Sequence, residues 1–316
     1  MILKQVPEDF VVDEVPSIVF SGKGKFCVCL LKKRNRNTED AVFIVAKSLS
    51  IPRGFISYAG TKDKKAVTSQ FVSVKCSLSK IKGFSHEDIS LEFVDFHDEP
   101  ISLGVLKGNK FRIVVRGLSG NEALKKKDFV NFFDSQRFSS NNVVIGKALV
   151  KKDYKEAVNL LLQDTSWGSL IEAHLKKSSN DFVGALRVLP KKILSLYVHA
   201  YQSLLWNEVV KILLERGSLP SVVPIPGFSG VEGSTKEVWE SVLSRESVVF
   251  QDFLNKDIPY LCVEGALRSS YCDVKDFVIS NFLDDELNHG KKKVVLSFFL
   301  GKGEYATNVV KQLFSD

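Results

Sequence analysis

The stretch Phe55-Ile-Ser-Tyr-Ala-Gly-Thr-Lys-Asp-Lys-Lys-Ala-Val-Thr-Ser-Gln-Phe-Val-Ser-Val74 decides how the rest of the chain is read. Phe55, Ile56 and Tyr58 predict a strand, Gly60 permits a sharp turn that ends it, and Val72 and Val74 alternate with polar residues as a second, half-buried strand does. Asp63 then stands at a strand end, where a scaffold can hold it. A carboxylate in that place can be a nucleophile, a general base or a turn cap. Lys62, Lys64 and Lys65 surround it with positive charge and would attract a polyanion. Taken alone, Gly-x-Lys-Asp is a four-residue motif that an Asx-turn among solvated lysines explains as well.

Upstream, residues 10–15 and 26–31 predict strands separated by a turn at Gly22 and Gly24. The basic run Lys32-Lys33-Arg34-Asn35-Arg36 reads as a loop, either a phosphate contact or solvated charge. A helix follows, with Thr38 as candidate N-cap, Glu39 and Asp40 in its first turn, and Ala41, Ile44, Val45 and Leu49 on one face. Pro52 would end it. Downstream, strands at 89–96 and 111–115 flank a turn at 103–109.

The texture changes near Asp128, past Lys125-Lys126-Lys127. From there to about Glu264 helical periodicity prevails, as in 154–162 and 191–216. In the latter, Leu194, Tyr197, Tyr201, Leu204, Leu205 and Val209 form a broad apolar face that needs a core to pack against. Residues 219–233, with three prolines and three glycines, read as an irregular loop. Strand texture returns at 294–299, and a closing helix is expected at 308–313. Between them Gly301-Lys302-Gly303 is a weak phosphate cue better explained as a plain turn.

With 316 residues and 44% hydrophobic content the chain can bury one large core or two smaller ones without staples. A net charge of +7 and a pI near 9.0 suit a polyanionic partner without specifying it. Five cysteines, Cys27, Cys29, Cys76, Cys262 and Cys272, include no Cys-x-x-Cys pair, so buried free thiols are expected rather than disulfides or a zinc framework. No run approaches the length needed to span a bilayer, and a cytoplasmic or nuclear setting is expected.

Several of these stretches, taken in order, carry a resemblance. Lys4 precedes Pro7-Glu8-Asp9-Phe10-Val11-Val12; Gly60, Lys62, Asp63, Ala66, Thr68 and Gln70 follow; then come Leu106-Lys107-Gly108-Asn109-Lys110-Phe111, Asn131-Phe132-Phe133 and Gln136-Arg137-Phe138. This series resembles the TruD family of RNA pseudouridine synthases over nearly the whole chain. The resemblance implies an α+β fold: a pseudouridine-synthase-like catalytic domain with a mixed or antiparallel sheet, residues 1–127 and 265–316, interrupted by a mainly helical TRUD insertion domain, residues 128–264. It implies a tRNA uridine-to-pseudouridine isomerase, with position 13 the expected target and other RNAs a further possibility. The competing reading is a non-catalytic RNA-binding or RNA-folding protein on the same scaffold.

By the same resemblance, Asp63 is the catalytic aspartate, Lys4 its partner and Asn109 a hydrogen-bonding neighbour. Phe10 and Phe111 are substrate-binding positions, one of them stacking on the base; Lys62, Gln136 and Arg137 are further RNA contacts. Ala200, Ser203, Leu205 and Asn207 match the insertion domain's long helix, and His199 on it is left out of the site. The isomerisation needs a nucleophile, an aromatic surface and exclusion of water, and it demands no metal or redox cofactor; no membrane partner is expected. The sequence departs from the family pattern at Phe132, Asp134 and Ser139, at Leu300-Gly301-Lys302-Gly303-Glu304, and at Lys311-Gln312.

Overall fold

The computed structural model describes residues 1–314 except 123, 125–127, 139–140 and 164–166. Its strands are β1 (Ile2–Leu3), β2 (Phe10–Pro16), β3 (Phe26–Arg34), β4 (Ile56–Tyr58), β5 (Val67–Val74), β6 (Ile89–His97), β7 (Leu106–Leu118), β8 (Val222–Ile225), β9 (Ala266–Ser269), β10 (Lys275–Ile279), β11 (Leu283–Asp284) and β12 (Lys292–Gly301). Its helices are α1 (Thr38–Ser48), α2 (Leu78–Lys82), α3 (Asn142–Val150), α4 (Tyr154–Leu162), α5 (Gly168–Leu175), α6 (Phe182–Arg187), α7 (Lys191–Glu215), α8 (Lys236–Arg245) and α9 (Ala306–Leu313). The chain divides into two compact units: Met1–Lys127 with Asp273–Ala306 and Val310–Asp316, and Asp128–Cys272 with Thr307–Val309. The Lys125-Lys126-Lys127 run and Ser139 lie outside the described residues.

The first unit is built on a mixed sheet of order β10-β12-β7-β2-β5-β3-β6, with β1 added to β7, β4 to β5 and β11 to β12. The β2–β5 pairing is parallel and the remaining pairs are antiparallel. Because side chains alternate along a strand, cross-strand partners share a face. The register therefore sets Lys33, Thr68, Val12, Phe111 and Phe298 in one row across β3, β5, β2, β7 and β12. Gln70, Glu14 and Asn109 lie one step along on the same face.

Elsewhere in this unit β3 and β5 pack against α1. Cys27, Cys29 and Leu31 of β3 join Ala41, Val42, Val45 and Ala46 of α1 and Val72 and Val74 of β5 in one apolar cluster. Burial pushes the Cys27 and Cys29 thiols up, which keeps them protonated and unreactive at neutral pH. The helix is capped by Asn37, whose side chain accepts from the Asp40 amide at 2.7 Å, and not by Thr38, which is the first helical residue. Asn can cap as well as Thr, and the Thr38 hydroxyl is used elsewhere.

The basic run expected as a loop also differs. Lys32, Lys33 and Arg34 continue β3, and the period of two that buries Cys27, Cys29 and Leu31 buries Lys33 as well, at 2% exposure. Lys32 pairs with Glu92 at 2.8 Å, Arg34 with Glu8 at 2.6 Å and Arg36 with Asp88 at 2.9 Å. These cations are matched within the unit.

The second unit gathers α3 to α8 with the antiparallel β8–β9 pair. Leu194, Tyr197, Tyr201, Leu205 and Val209 of α7 are buried, as are Trp206 and Trp239. The Trp206 indole donates to the Val223 carbonyl at 3.0 Å, so its polar edge is satisfied inside the core. Part of the 219–233 stretch is thus strand β8 and not irregular. Its partner is β9, and residues 265–272 group with the helical unit, whereas the expected boundary at 265 counts them with the sheet-rich segment.

Candidate active site

The loop between β4 and β5 carries Asp63, and each of its signature neighbours fixes a different backbone point. Gln70, fully buried on β5, donates to the Gly60 carbonyl at 2.9 Å and accepts from the Thr38 hydroxyl at 3.0 Å. That hydroxyl accepts from the Lys62 amide at 2.9 Å. Ala66, also without exposure, donates its amide to Lys64 O at 3.0 Å and accepts from the Asn35 amide at 3.0 Å. The Asp63 carbonyl accepts from the Lys33 ammonium at 2.7 Å. A short stretch without regular structure is thereby held at four places, which is what a carboxylate needs if its position is to be reproducible. Gly60 itself has no left-handed φ, and a Cβ there would meet nothing within 4 Å, so the turn does not depend on glycine's conformational freedom.

Lys4 reaches this carboxylate across fifty-nine positions of sequence, its Nζ standing 3.0 Å from Asp63 Oδ1. Strand β1 pairs Leu3 with Val115 on β7, which brings the next residue to the head of β2. Lys4 then takes φ of 56°, a left-handed conformation that costs a lysine about 1–2 kcal/mol. The segment after it is clamped: Gln5 accepts from Asn288 at 2.8 Å, and Asp9 accepts from the Val6 amide at 3.1 Å. Asp9 is further held by Arg116 at 2.8 Å, and that buried guanidinium also binds Asp285 at 2.8 Å and Glu286 at 3.0 Å. Against the effect of burial, hydrogen bonds from the Gly117 amide, Asn288 and Arg116 hold the Asp285 carboxyl below the usual range, and hydrogen bonds from Arg116 and Lys293 do the same for Glu286. The ammonium of Lys4 sits 4.1 Å from the centroid of Phe10, a cation–π contact that fixes it from below.

The aromatic residues form a ladder on the sheet face. Phe10 meets Phe111 edge to face with centroids 6.0 Å apart, Phe111 meets Phe298 at 5.6 Å, and Phe298 stacks with Phe277 at 5.9 Å. Phe10 has 1% exposure and lies beneath Lys4, so it supports the site; Phe111 is half-buried and keeps open surface. Asn109, opposite Glu14 in the register, has a buried Oδ1 with no hydrogen-bond partner among the described residues. Lys62, expected as an RNA contact, is turned inward. Its ammonium lies 2.5 Å from Glu14 Oε2, with side chains 6% and 1% exposed, and Glu14 Oε1 accepts from the Phe71 amide at 3.2 Å.

Gln136 and Arg137 belong to the second unit. Gln136 is exposed at a short helical turn whose start Asp134 caps by accepting from the Gln136 amide at 3.0 Å. Arg137 donates to the Ser203 hydroxyl at 2.7 Å and lies over Phe133 at 5.2 Å, beside an open cavity of about 360 Å³ also lined by His199, Gln202 and Arg268. Asn207 of α7 accepts from the Phe133 amide at 2.9 Å and donates to its carbonyl at 3.0 Å, so the entry motif and the long helix are one construction. Among the departures, Asp134 accepts from the Thr307 hydroxyl, and Glu304 closes its turn by accepting from the Gly301 amide at 2.9 Å.

Lys33, Thr38 and Glu14 are the site residues that motif reasoning missed. The signal for Lys33 is present, since extending the Cys27, Cys29, Leu31 alternation by two reaches it. Nothing local to Glu14 or Thr38 foretells partners more than twenty residues away.

A family model described as tRNA pseudouridine synthase D (TruD) matches residues 1–173, 169–227 and 213–313. The chain is 30% identical to "Probable tRNA pseudouridine synthase D 2" of Methanocaldococcus jannaschii, across 99% of this chain and 92% of that protein. It is 28% identical to the tRNA pseudouridine synthase D of Aquifex aeolicus, across 99% and 97%. A crystal structure of the tRNA pseudouridine synthase D (TruD) candidate from Methanosarcina mazei superposes with a TM-score of 0.76 at 26% identity, covering 99% of this chain and 93% of that one. Motif, fold and full-length similarity agree, and the chain belongs to the tRNA pseudouridine synthase D (TruD) family.

Proposed function

We propose that this chain isomerises uridine to pseudouridine in tRNA, with position 13 as its target, and that Asp63 is the nucleophile. The observation that carries the reading is the Lys4–Asp63 pair, 3.0 Å apart, on a loop pinned by Gln70, Thr38 and Lys33. The Asp63 carboxylate attacks the ribose C1′ as the C1′–N1 bond breaks, and the uracil leaves with the electron pair. The base turns so that C5 faces C1′; C5 bonds to C1′, expels the carboxylate, loses its proton, and N1 gains one. Product and substrate therefore have the same atoms. Phe111 supplies the open aromatic face for the detached base, and Asn109 offers an acceptor to its N–H groups or to the ribose hydroxyl. Lys4 neutralises the carboxylate before and after attack. Phe10 acts beneath Lys4, Lys62 through Glu14, and Gln136 and Arg137 contact RNA from the second unit, which is read as the family's insertion domain. Other RNAs with the same exposed uridine are candidate substrates.

The test is Asp63→Asn, which nearly preserves shape and removes the charge. It should abolish pseudouridine formation in tRNA while leaving affinity within about tenfold, or 1.4 kcal/mol. Wild-type rates in that variant would remove Asp63 from the mechanism. Loss of nothing but affinity would favour a binding protein.

A further inference from the structure

Lys33 is 2% exposed at the end of a strand whose neighbouring cations reach solvent. A buried ammonium is costly unless its protons are bonded. Here Nζ donates to the Asp63 carbonyl at 2.7 Å and to the Arg36 carbonyl at 2.6 Å, lengths at the short end for charge-assisted bonds. The two carbonyls belong to different segments, the candidate nucleophile's own residue and the turn that leads into α1. The charged groups that act on the ammonium are the Asp63 carboxylate, itself paired with Lys4, and Lys62 with its partner Glu14, while the adjacent Arg34 and Arg36 side chains are engaged by Glu8 and Asp88. Thr68, opposite Lys33 in the β3–β5 register, contributes a buried hydroxyl with no partner among the described residues. No other cation holds the main chain of Asp63 in the described hydrogen bonds.

We propose that Lys33 is a positioning residue for Asp63, its buried ammonium fastening the carboxylate loop to the turn before α1 through the two carbonyls. This rests on the reading of Asp63 as the nucleophile. Lys33 acts through the backbone and does not touch RNA. Its grip depends on charge, because a neutral amine donates more weakly to a carbonyl than an ammonium does. Burial lowers the proton affinity of Lys33, so that the proton is released at about pH 8. Alkaline solution should therefore loosen the loop without altering the RNA-binding surface.

The experiment is single-turnover pseudouridine formation at saturating tRNA as a function of pH, for wild type, Lys33→Met and Lys33→Gln. The wild-type rate should fall on the alkaline side with a midpoint near pH 8. Lys33→Met should be slower by roughly 100-fold, the cost of misplacing a reacting group by about 1 Å, with tRNA affinity unchanged and that alkaline limb absent. Lys33→Gln, which keeps an N–H donor without charge, should fall between the two and also lack the limb. Should Lys33→Met not fold, Lys33→Gln and the wild-type profile decide. A wild-type rate in either variant overturns the proposal, as does an alkaline limb that persists in one, or a loss of affinity equal to the loss of rate. The Asp63→Asn result separates the two claims: activity in that variant removes the nucleophile, whereas an inactive Asp63→Asn beside an unchanged Lys33→Met removes only Lys33's role.

Discussion

Lys4 has one backbone conformation that its side chain disfavours and two contacts that require it, the 3.0 Å pair with Asp63 and the cation–π contact with Phe10. Strain of this kind at a candidate active site is informative because the surrounding clamps, Gln5 with Asn288 and Asp9 with Arg116, over-determine it. Lys4→Met removes the ammonium and keeps most of the apolar stem. A hydrogen bond to a charged group contributes about 1.5–3 kcal/mol, so the rate at saturating tRNA should fall roughly 10- to 100-fold, less completely than in Asp63→Asn. An unchanged single-turnover rate would show that the pair serves folding alone. Lys33 gives a second residue-scale expectation, in stability and with a definite sign. Its folded form releases a proton at about pH 8 while the unfolded chain holds one to about 10.5. Between those values the unfolded chain binds more protons, so rising pH favours the folded state through this group. Denaturation of wild type and Lys33→Met should show wild type gaining relative stability across that interval, even as its activity declines.

At the scale of elements, α7 and the entry motif before α3 are tied by one side chain. Asn207 satisfies both the amide and the carbonyl of Phe133, all of them buried. Asn207→Ala leaves two backbone groups unpaired, each costing about 1–3 kcal/mol, and chemical denaturation should show destabilisation of that size in the second unit. A change within about 0.5 kcal/mol, the surface-substitution range, would mean that water replaces the amide. The elements themselves are largely legible in the sequence, because α4 and α7 repeat at the helical period and β2, β5 and β12 alternate at the strand period. What stays hidden has non-local causes. The end of β3 reads as a loop because charge outweighs alternation at Lys32, Lys33 and Arg34. Thr38 reads as a cap because its true partners, Lys62 and Gln70, lie far along the chain. Asp63 and Lys4 can be named only because their spacing matches a family pattern; no periodicity joins residues that β1 brings together by pairing with β7.

At the scale of the whole molecule, the relatives from Methanocaldococcus jannaschii and Aquifex aeolicus align over 394 and 391 positions, more than this chain's 316 residues. Those relatives therefore hold insertions within the aligned region that this chain lacks, and its RNA-binding charge must reside on the elements that remain. The formal net charge is +7, but a count overstates what RNA can meet, since Lys32, Arg34 and Arg36 are matched by Glu92, Glu8 and Asp88, and Lys62 is buried with Glu14. Lys64 and Lys65 are different: both are exposed or half-exposed and stand next to Asp63 in the chain. A cation that neutralises a phosphate releases a counterion, and each neutralised phosphate adds about −0.7 to −0.9 to the slope of log K against log salt. The double variant Lys64→Ala, Lys65→Ala should weaken tRNA binding and reduce the magnitude of that slope by about 1.4–1.8, for two phosphates that are no longer neutralised. Removing the Lys32–Glu92 pair as Lys32→Ala with Glu92→Ala deletes a cation whose charge is already met, and the slope should stay where it was. The Lys32, Glu92 variant leaves the net charge unchanged, so an effect there equal to that at Lys64 and Lys65 would show that Lys32 itself meets a phosphate, whereas weakening confined to Lys64 and Lys65 would support phosphates beside the carboxylate loop.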